Sequence, residues 1–147
     1  MEIGVRNEAV KLFNATWDLI EMESRSREQD AEMLTKAHAS RYLWGLVGEP
    51  KNFARGEWQI SRCYALLNMG EAAMLHGELS HTIAQENELS AMDSAFGYEA
   101  VARASAVLGD FEKAKAYVNK AREVAQGLEK DEDKKYLEGE LSNISLH

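Results

Sequence analysis

The segment His38–Trp44, HASRYLW, holds the densest group of side chains that could do chemistry. His38 and Arg41 are three residues apart, a spacing that puts both on one face of a helix, where they and Tyr42 could bind an anion. In the alternative, Tyr42 and Trp44 pack against the next helix and Arg41 pairs with an acidic neighbour. Residue types do not separate the two, so His38, Arg41 and Trp44 form a secondary candidate site.

Metal and nucleophile chemistry find less support in the sequence. His76 and His81 are five residues apart on one predicted helix, so they point about 140° apart and cannot readily share a metal ion. Glu78 and His81 form a Glu-x-x-His pair of the kind used by di-iron bundles, but no second pair completes such a site. Cys63 lies among apolar residues, which favours an inert thiol. Without a nucleophile-elbow, phosphate-loop or dinucleotide motif, we expect no metal, no cofactor and no enzymatic activity.

Composition sets the class of protein and of partner. A chain of 147 residues with 45% hydrophobic residues and one proline fits a single, all-helical domain. Its net charge of −8 argues against general nucleic-acid binding, because DNA phosphates would repel it. We find no apolar run of membrane-spanning length and no secretory signal, and a single cysteine fits a reducing compartment. We therefore expect a cytoplasmic protein that binds neither nucleic acid nor membrane.

An internal repeat organises the elements that must position these residues. Residues 54–84 superimpose on residues 95–125 when the chain is shifted to bring Ala54 onto Ala95. The other identical pairs are Gly56 and Gly97, Arg62 and Arg103, Ala65 and Ala106, Leu67 and Leu108, Glu71 and Glu112, Ala73 and Ala114, and Ala84 and Ala125. A period of this size indicates stacked helical hairpins.

Helix start and stop signals divide the chain into hairpins. We predict hairpins over about residues 4–47, 50–86 and 91–128, and a capping helix over about 132–145. The first helix is predicted from about Gly4 to Met22, with Val10, Phe13, Trp17 and Ile20 on its buried side. The local signals are a capping box at Ser26 and Gln29, Pro50 in a first turn, Gly109 as a stop, Asp110 as a cap, and a polar loop over residues 85–93.

The two repeat units resemble the tetratricopeptide repeat. In the later unit, the positions that carry the resemblance are Tyr98, Val101, Ala102, Ala114, Val118 and Ala121, with Ser105 in place of the family's tyrosine; in the earlier unit they are Ile60, Tyr64 and Ala73. Neither unit has the closing proline. The resemblance implies a right-handed stack of antiparallel helix hairpins, a tetratricopeptide-like α-solenoid, with a C-terminal capping helix.

The resemblance also implies that the first helix of each hairpin lines a concave groove. The residues on that face are Arg55, Trp58, Arg62 and Leu66 in one unit and Phe96, Glu99, Arg103 and Val107 in the other. Three arginines beside two aromatic rings are suited to a ligand with carboxylates. In the alternative, the arginines pair internally with Glu57, Glu99 and similar neighbours.

We therefore predict a non-catalytic module that binds a protein or an acidic peptide through Arg55, Trp58, Arg62, Phe96, Glu99 and Arg103. The rival is a small-molecule sensor or helical enzyme with a pocket near His38, Arg41 and Trp58. A third possibility is self-association of the concave face into a homo-oligomer.

Overall fold

The structure is a computed structural model that describes residues 2–147, and these residues form seven α-helices and no strand. The helices are α1 (Glu2–Ile20), α2 (Arg27–Val47), α3 (Pro50–Leu66), α4 (Gly70–Glu86), α5 (Ala91–Val107), α6 (Phe111–Ala125) and α7 (Asp131–Ser142). Each helix packs on its neighbour in sequence, and α1 also contacts α3, α3 contacts α5, and α5 contacts α7. The all-α prediction is confirmed. Within residues 2–147, no helix has the length and apolar character needed to cross a bilayer.

The internal repeat of the sequence is present in the backbone. The shift that brings Ala54 onto Ala95 also brings both ends of α3 onto the ends of α5, and the start of α4 onto the start of α6. The turns inside the two hairpins match as well, because Asn68 has a φ of 60° and Gly109, at the equivalent position, has a φ of 81°. Glycine adopts this left-handed conformation without strain, and asparagine tolerates it better than most residues.

Local capping residues set several of these helix ends as predicted. The Ser26 Oγ accepts a hydrogen bond from the backbone of Gln29 at 3.1 Å, and the Gln29 side chain accepts one from the Ser26 backbone at 2.8 Å. Pro50 is the first residue of α3, and an Asp110 carboxylate oxygen accepts from the Lys113 backbone at 3.2 Å to start α6. The Ser26, Gln29 and Asp110 side chains satisfy N–H groups that have no partner within the helix, and Pro50 has no N–H to satisfy.

Two predicted boundaries are wrong. Helix α1 ends at Ile20 rather than at Met22, and the Arg25 guanidinium donates to the carbonyls of Leu19 and Met22 near its end. The polar loop predicted over residues 85–93 is shorter in the structure, where the four residues 87–90 separate α4 from α5. The Ser90 side chain caps the start of α5.

Small residues lie where helices approach closely. Ala73, Ser80 and Ala84 on α4 are buried, and the Ser80 hydroxyl donates to the Ala54 carbonyl of α3 at 2.8 Å. A methyl group at Gly97 of α5 would come within 3.0 Å of a backbone atom of α4. Such contacts require short side chains on both helices.

Helix α7 covers the apolar surface formed by α5 and α6. Its buried residues Leu137 and Leu141, followed by Ile144, form one cluster with Ala95, Ala102, Val118 and Ala121. On α1, by contrast, the predicted buried stripe is only partly correct, since Ile20 is buried, Phe13 and Trp17 are half-buried, and Val10 is exposed. Phe13 and Trp17 line a pocket, and Trp17 also packs against the buried cluster that contains Ile20.

The buried alanines of the repeat give a first prediction. Replacing Ala102, Ala114 or Ala121 by leucine should lower the free energy of unfolding by about 1–3 kcal/mol. All three alanines are fully buried, so the larger side chain would overpack the core. Urea denaturation measures the change. Ala116→Leu, on the exposed side of α6, is the matched control and should stay within about 0.5 kcal/mol of the native chain. Equal stability of all four variants would contradict the packing described above.

The contacts of α7 give a second prediction. A chain that ends at Lys130 should aggregate, because it exposes the apolar surface on which Leu137 and Leu141 pack. Light scattering coupled to size-exclusion chromatography measures the effect, and a chain lacking only His147 serves as control. A truncated chain that is monomeric and as stable as the full chain would show that α7 is not part of the packed structure.

Candidate functional site

The six residues predicted to line a groove lie side by side where α3 and α5 meet. They are Arg55, Trp58 and Arg62 on α3 and Phe96, Glu99 and Arg103 on α5. The rings of Trp58 and Phe96 are 5.0 Å apart between centroids, in an edge-to-face arrangement. The sequence-based grouping of these six side chains therefore matches their positions in the structure.

The Glu99 carboxylate lies at the centre of this face. Its side chain is 1% exposed, so its charge needs partners within the protein. One carboxylate oxygen accepts a hydrogen bond from the Trp58 indole N–H at 2.6 Å, and the other accepts from Arg103 Nε at 2.7 Å. The Arg62 guanidinium approaches the second oxygen to 3.9 Å. These contacts tie α3 to α5 through one buried charge.

Helix α7 supplies a second carboxylate to the same arginines. Arg62 Nη1 donates to the Glu140 carboxylate at 2.6 Å. Arg103 Nη2 donates to the Glu140 backbone carbonyl at 2.9 Å and lies 3.7 Å from the carboxylate. Glu140 of the chain itself thus occupies the space between the two arginines, where the sequence predicts an anionic ligand.

The third arginine, Arg55, forms a two-point pair with Asp93. Arg55 Nε and Nη2 donate to the two carboxylate oxygens at 2.8 and 3.2 Å, and this hydrogen bonding raises the pKa of Arg55. Asp93 is buried and is held in place by the hydroxyl and capping bond of Ser90. The Arg55 side chain itself is 52% exposed, so its remaining N–H groups face solvent.

These pairings correct the expectation of free cations in the groove. The structure matches the alternative of internal pairing, although the partners are Asp93, Glu99 and Glu140, and Glu57 pairs with Arg41 instead. At Arg62 and Arg103, a ligand carboxylate would have to displace Glu140 or Glu99 from its arginine. Breaking such a pair costs about 3–5 kcal/mol, so the reason for preferring an acidic ligand is removed.

A cavity of about 320 Å³, here called the aromatic pocket, opens on the same face. Its lining residues are Phe13 and Trp17 of α1, Ala54, Arg55 and Trp58 of α3, Ser80 of α4, Met92, Asp93 and Phe96 of α5, and Tyr136 of α7. Four of the rings form a continuous row, with centroid distances of 5.4 Å from Trp17 to Trp58, 5.0 Å from Trp58 to Phe96, and 5.9 Å from Phe96 to Tyr136. The pocket is therefore an apolar slot with one ion pair, Arg55–Asp93, at its wall.

Two further cavities adjoin this face. One, of about 380 Å³, is lined by the residues Arg62, Ala65, Leu66, Arg103, Ala106, Val107, Asn143, Ile144 and Ser145. The other, of about 140 Å³, is lined by Val10, Phe13, Trp44, Asn52 and Arg55, and so shares Phe13 and Arg55 with the aromatic pocket. Arg62 and Arg103, the two arginines that hold Glu140, line the larger of these cavities.

Tyr136 and Glu140 of α7 contribute to this face without having been predicted there, although the internal repeat contains the signal for Glu140. Trp17, Trp58, Glu99 and Glu140 occupy one equivalent position of that repeat on α1, α3, α5 and α7. Consecutive members are linked by ring contact, by the indole hydrogen bond, and through Arg103. Extending the repeat one unit beyond Glu99 would have identified Glu140.

The chain matches no protein-family model, no curated protein and no solved structure. The resemblance to tetratricopeptide repeats therefore depends on the residues and on the order and contacts of the helices.

The secondary candidate residues His38, Arg41 and Trp44 do not form a pocket together. Arg41 Nε donates to Glu57 at 2.9 Å, and Trp44 is buried beside the smallest cavity. Arg41 thus pairs with an acidic neighbour and Trp44 is packed, as the second interpretation of this segment predicted. Tyr42 is 68% exposed and does not pack as that interpretation predicted. Neither His38 nor Arg41 lines any of the three cavities, so the rival pocket beside Trp58 lacks them.

His38 of α2 and His76 of α4 lie side by side, with ring centroids 5.4 Å apart and the Tyr64 ring against both, whereas His81 of α4 lies elsewhere. His38 Nε2 lies 3.0 Å from the Tyr64 hydroxyl, and His76 Nδ1 lies 2.7 Å from the Glu57 carboxylate. His81 packs between tyrosines of α5 and α6, on a different side of α4 from His76. The predicted divergence of His76 and His81 is confirmed.

Metal and thiol chemistry find no geometric support in the part of the chain that the structure describes. Residues 2–147 contain no group of three or more His, Cys, Asp or Glu side chains placed to hold a metal ion. Cys63 is buried, and burial raises the pKa of its thiol to about 12, so it stays protonated and unreactive at neutral pH.

The internal pairing of the arginines gives a third prediction. Arg103→Ala should lower the free energy of unfolding by about 3–5 kcal/mol, because it leaves the buried Glu99 charge with too few donors. Lys115→Ala, at an exposed position of α6, should change it by less than about 0.5 kcal/mol. Chemical denaturation measures both. An Arg103→Ala chain as stable as the Lys115→Ala chain would show that Glu99 does not depend on this pair.

Two histidines give a fourth prediction, on pH. Burial lowers the pKa of His38 and of His81, and the charges of His76 and Lys120, respectively, lower them further. Below about pH 6.5, the unfolded chain therefore binds more protons than the folded chain. The free energy of unfolding should be highest above about pH 6.5 and should fall as the pH drops through the lower pKa values of these histidines in the folded chain. Melting temperatures across pH 5–8 measure this. His81→Gln should flatten the profile, and an unchanged slope would exclude His81 as its source.

Proposed function

We propose that this chain is a non-catalytic protein- or peptide-binding module, built as a tetratricopeptide-like, right-handed stack of three antiparallel helix hairpins closed by α7. Three features support this architecture: the internal repeat of helix boundaries, the contacts that link α1, α3, α5 and α7, and the small residues between α4 and its neighbours. In stacks of this kind, the corresponding helices of successive units share one extended surface for partners.

The observation that carries the proposal is the position of the aromatic pocket. All four helices of that shared surface contribute to its lining, and the pocket is open to solvent on one side. Its walls are mainly apolar, and its two charged groups, Arg55 and Asp93, pair with each other. Such a slot suits an apolar side chain projecting from a partner, because aromatic anchors in fitting pockets dominate the energy of many interfaces.

The free energy gained by burying one apolar side chain, the anchor, limits the affinity that the aromatic pocket can provide by itself. Burying one phenylalanine side chain contributes about 1.5–3 kcal/mol, and each contact with a ring of the pocket adds about 0.5–1.5 kcal/mol, whereas association costs at least about 4 kcal/mol in lost motion. One anchor alone therefore binds weakly. A partner that also contacts the adjoining cavities along α3 and α5 reaches a useful affinity, which favours a peptide segment over a single small group.

The volume of the pocket favours a second candidate function. About 320 Å³ lies at the lower end of the range for small-molecule sites, so a small aromatic ligand would fit without further contacts. This candidate keeps Trp58 from the sequence-based alternative but places it with Trp17, Phe96 and Tyr136 rather than with His38 and Arg41.

Nuclear magnetic resonance with the three indole N–H signals tests the proposal. Titration with N-acetyl-phenylalaninamide should shift the signals of Trp17 and Trp58, which line the pocket, by more than that of Trp44. N-acetyl-glycinamide, which lacks the side chain, is the matched ligand control and should shift none of them.

Variants separate the pocket from the rest of the surface. Tyr136→Ala removes one pocket wall and should weaken the response, whereas Tyr42→Ala, at an exposed position of α2, should leave it unchanged. Shifts that spread evenly over the chain, or no shift at millimolar ligand, would contradict the proposal. Strong shifts with free indole but none with the amide would favour the small-molecule function.

A further inference from the structure

The charges on the face of the aromatic pocket cancel within the protein. Its three arginines and three carboxylates are Arg55 with Asp93, and Arg62 and Arg103 with Glu99 and Glu140. Three positive charges against three negative charges leave no net positive field. A ligand on this face therefore meets the charges that stand outside these pairs.

Two carboxylates outside the pairs lie near the pocket. Glu21 is exposed, and its backbone N–H donates to the Trp17 carbonyl at 2.9 Å, so it lies one helical turn beyond this pocket residue. Asp133 precedes Tyr136 by three residues on α7 and therefore shares a face with it. Burial raises the pKa of the Tyr136 hydroxyl, and nearby carboxylates, Glu21 among them, add to the shift, which places Glu21 within electrostatic reach of the pocket wall. Among residues 2–147, neither Glu21 nor Asp133 forms an ion pair.

The opposing charge near the pocket is smaller. Lys51 precedes Arg55 by four residues on α3 and is exposed, so it contributes one positive charge against the two carboxylates. The whole chain carries a net charge of −8, which attracts basic partners over a longer range. The same charge repels a second copy of this chain, which disfavours self-association through this face.

We propose that the aromatic pocket receives an apolar side chain from a basic peptide segment, with a lysine or arginine of that segment lying near Glu21. This inference rests on the proposed binding function and reverses the charge that the sequence suggested for the ligand. The apolar anchor enters among Trp17, Trp58 and Phe96, and the flanking cation stays in water, where it needs no desolvation. The cation contributes mainly to selection and to the rate of encounter.

Three matched peptides test the charge of the partner. Each is a pentapeptide, acetylated and amidated, with phenylalanine at the centre and glycine on both sides; the end residues are lysine, glutamine or glutamate. Tryptophan fluorescence gives the affinities at low salt, where the lysine peptide should bind about fivefold or more tightly than the glutamate peptide. The ratio should approach one at 1 M salt, where the screening length falls to about 3 Å.

The three affinities test the preference for a basic peptide separately from the proposed peptide-binding function. Glutamate or glutamine peptides that bind as tightly as the lysine peptide would overturn the inference and leave the proposed function standing. If no peptide changes the fluorescence at millimolar concentration, the proposed function fails and the inference fails with it.

Two charge variants locate the cation. Glu21→Gln should reduce the preference for the lysine peptide by about twofold or more, because one rim charge is removed. Glu112→Gln, at an exposed position of α6, is the matched control and should leave the preference unchanged. Both sites are exposed, so folding is preserved. Equal preferences in the two variants would overturn the placement of the cation near Glu21.

Discussion

A buried carboxylate needs hydrogen-bond donors from the protein because it has lost those of water. Glu99 is such a carboxylate, and it lies where α3 and α5 meet. Its two oxygens take the indole N–H of Trp58 on α3 and the Nε–H of Arg103 on α5. Arg103 in turn reaches the backbone of α7 at Glu140. One buried charge thus orients the side chains that join three helices, and a change at any of them leaves another polar group without a partner.

This constraint also decides what the surface can bind. Because Trp58 is fixed by its N–H, its ring is held against Trp17 and Phe96, and the row of rings has a defined shape before a ligand arrives. The arginines that would otherwise attract an anion are used inside the protein. What remains for a partner is preformed apolar surface, which loses little freedom on binding.

The sequence predicts the parts of this structure that local chemistry determines. The capping box at Ser26, the start at Pro50 and the stop at Gly109 depend on neighbouring residues, and the shared face of α3 and α5 follows from helical spacing. The roles of Asp93 and Glu140 depend on contacts 38 and 78 residues along the chain. The internal repeat gives the position of Glu140 but not its partners, and it gives no sign of Asp93. The chain has 25 aspartates and glutamates, and nothing in the sequence singles out the three that pair with these arginines. Internal pairing and ligand binding were therefore equal alternatives for the arginines.

A double-mutant cycle between Trp58 and Glu99 tests the central claim most directly. Trp58→Phe removes the indole donor, Glu99→Gln removes the charge of the acceptor, and urea denaturation gives the stability of both single variants and of the double variant. A hydrogen bond to a buried charge predicts a coupling energy of about 1.5–3 kcal/mol. Stabilities that add within about 0.5 kcal/mol would contradict the account, because the two side chains would then not depend on each other.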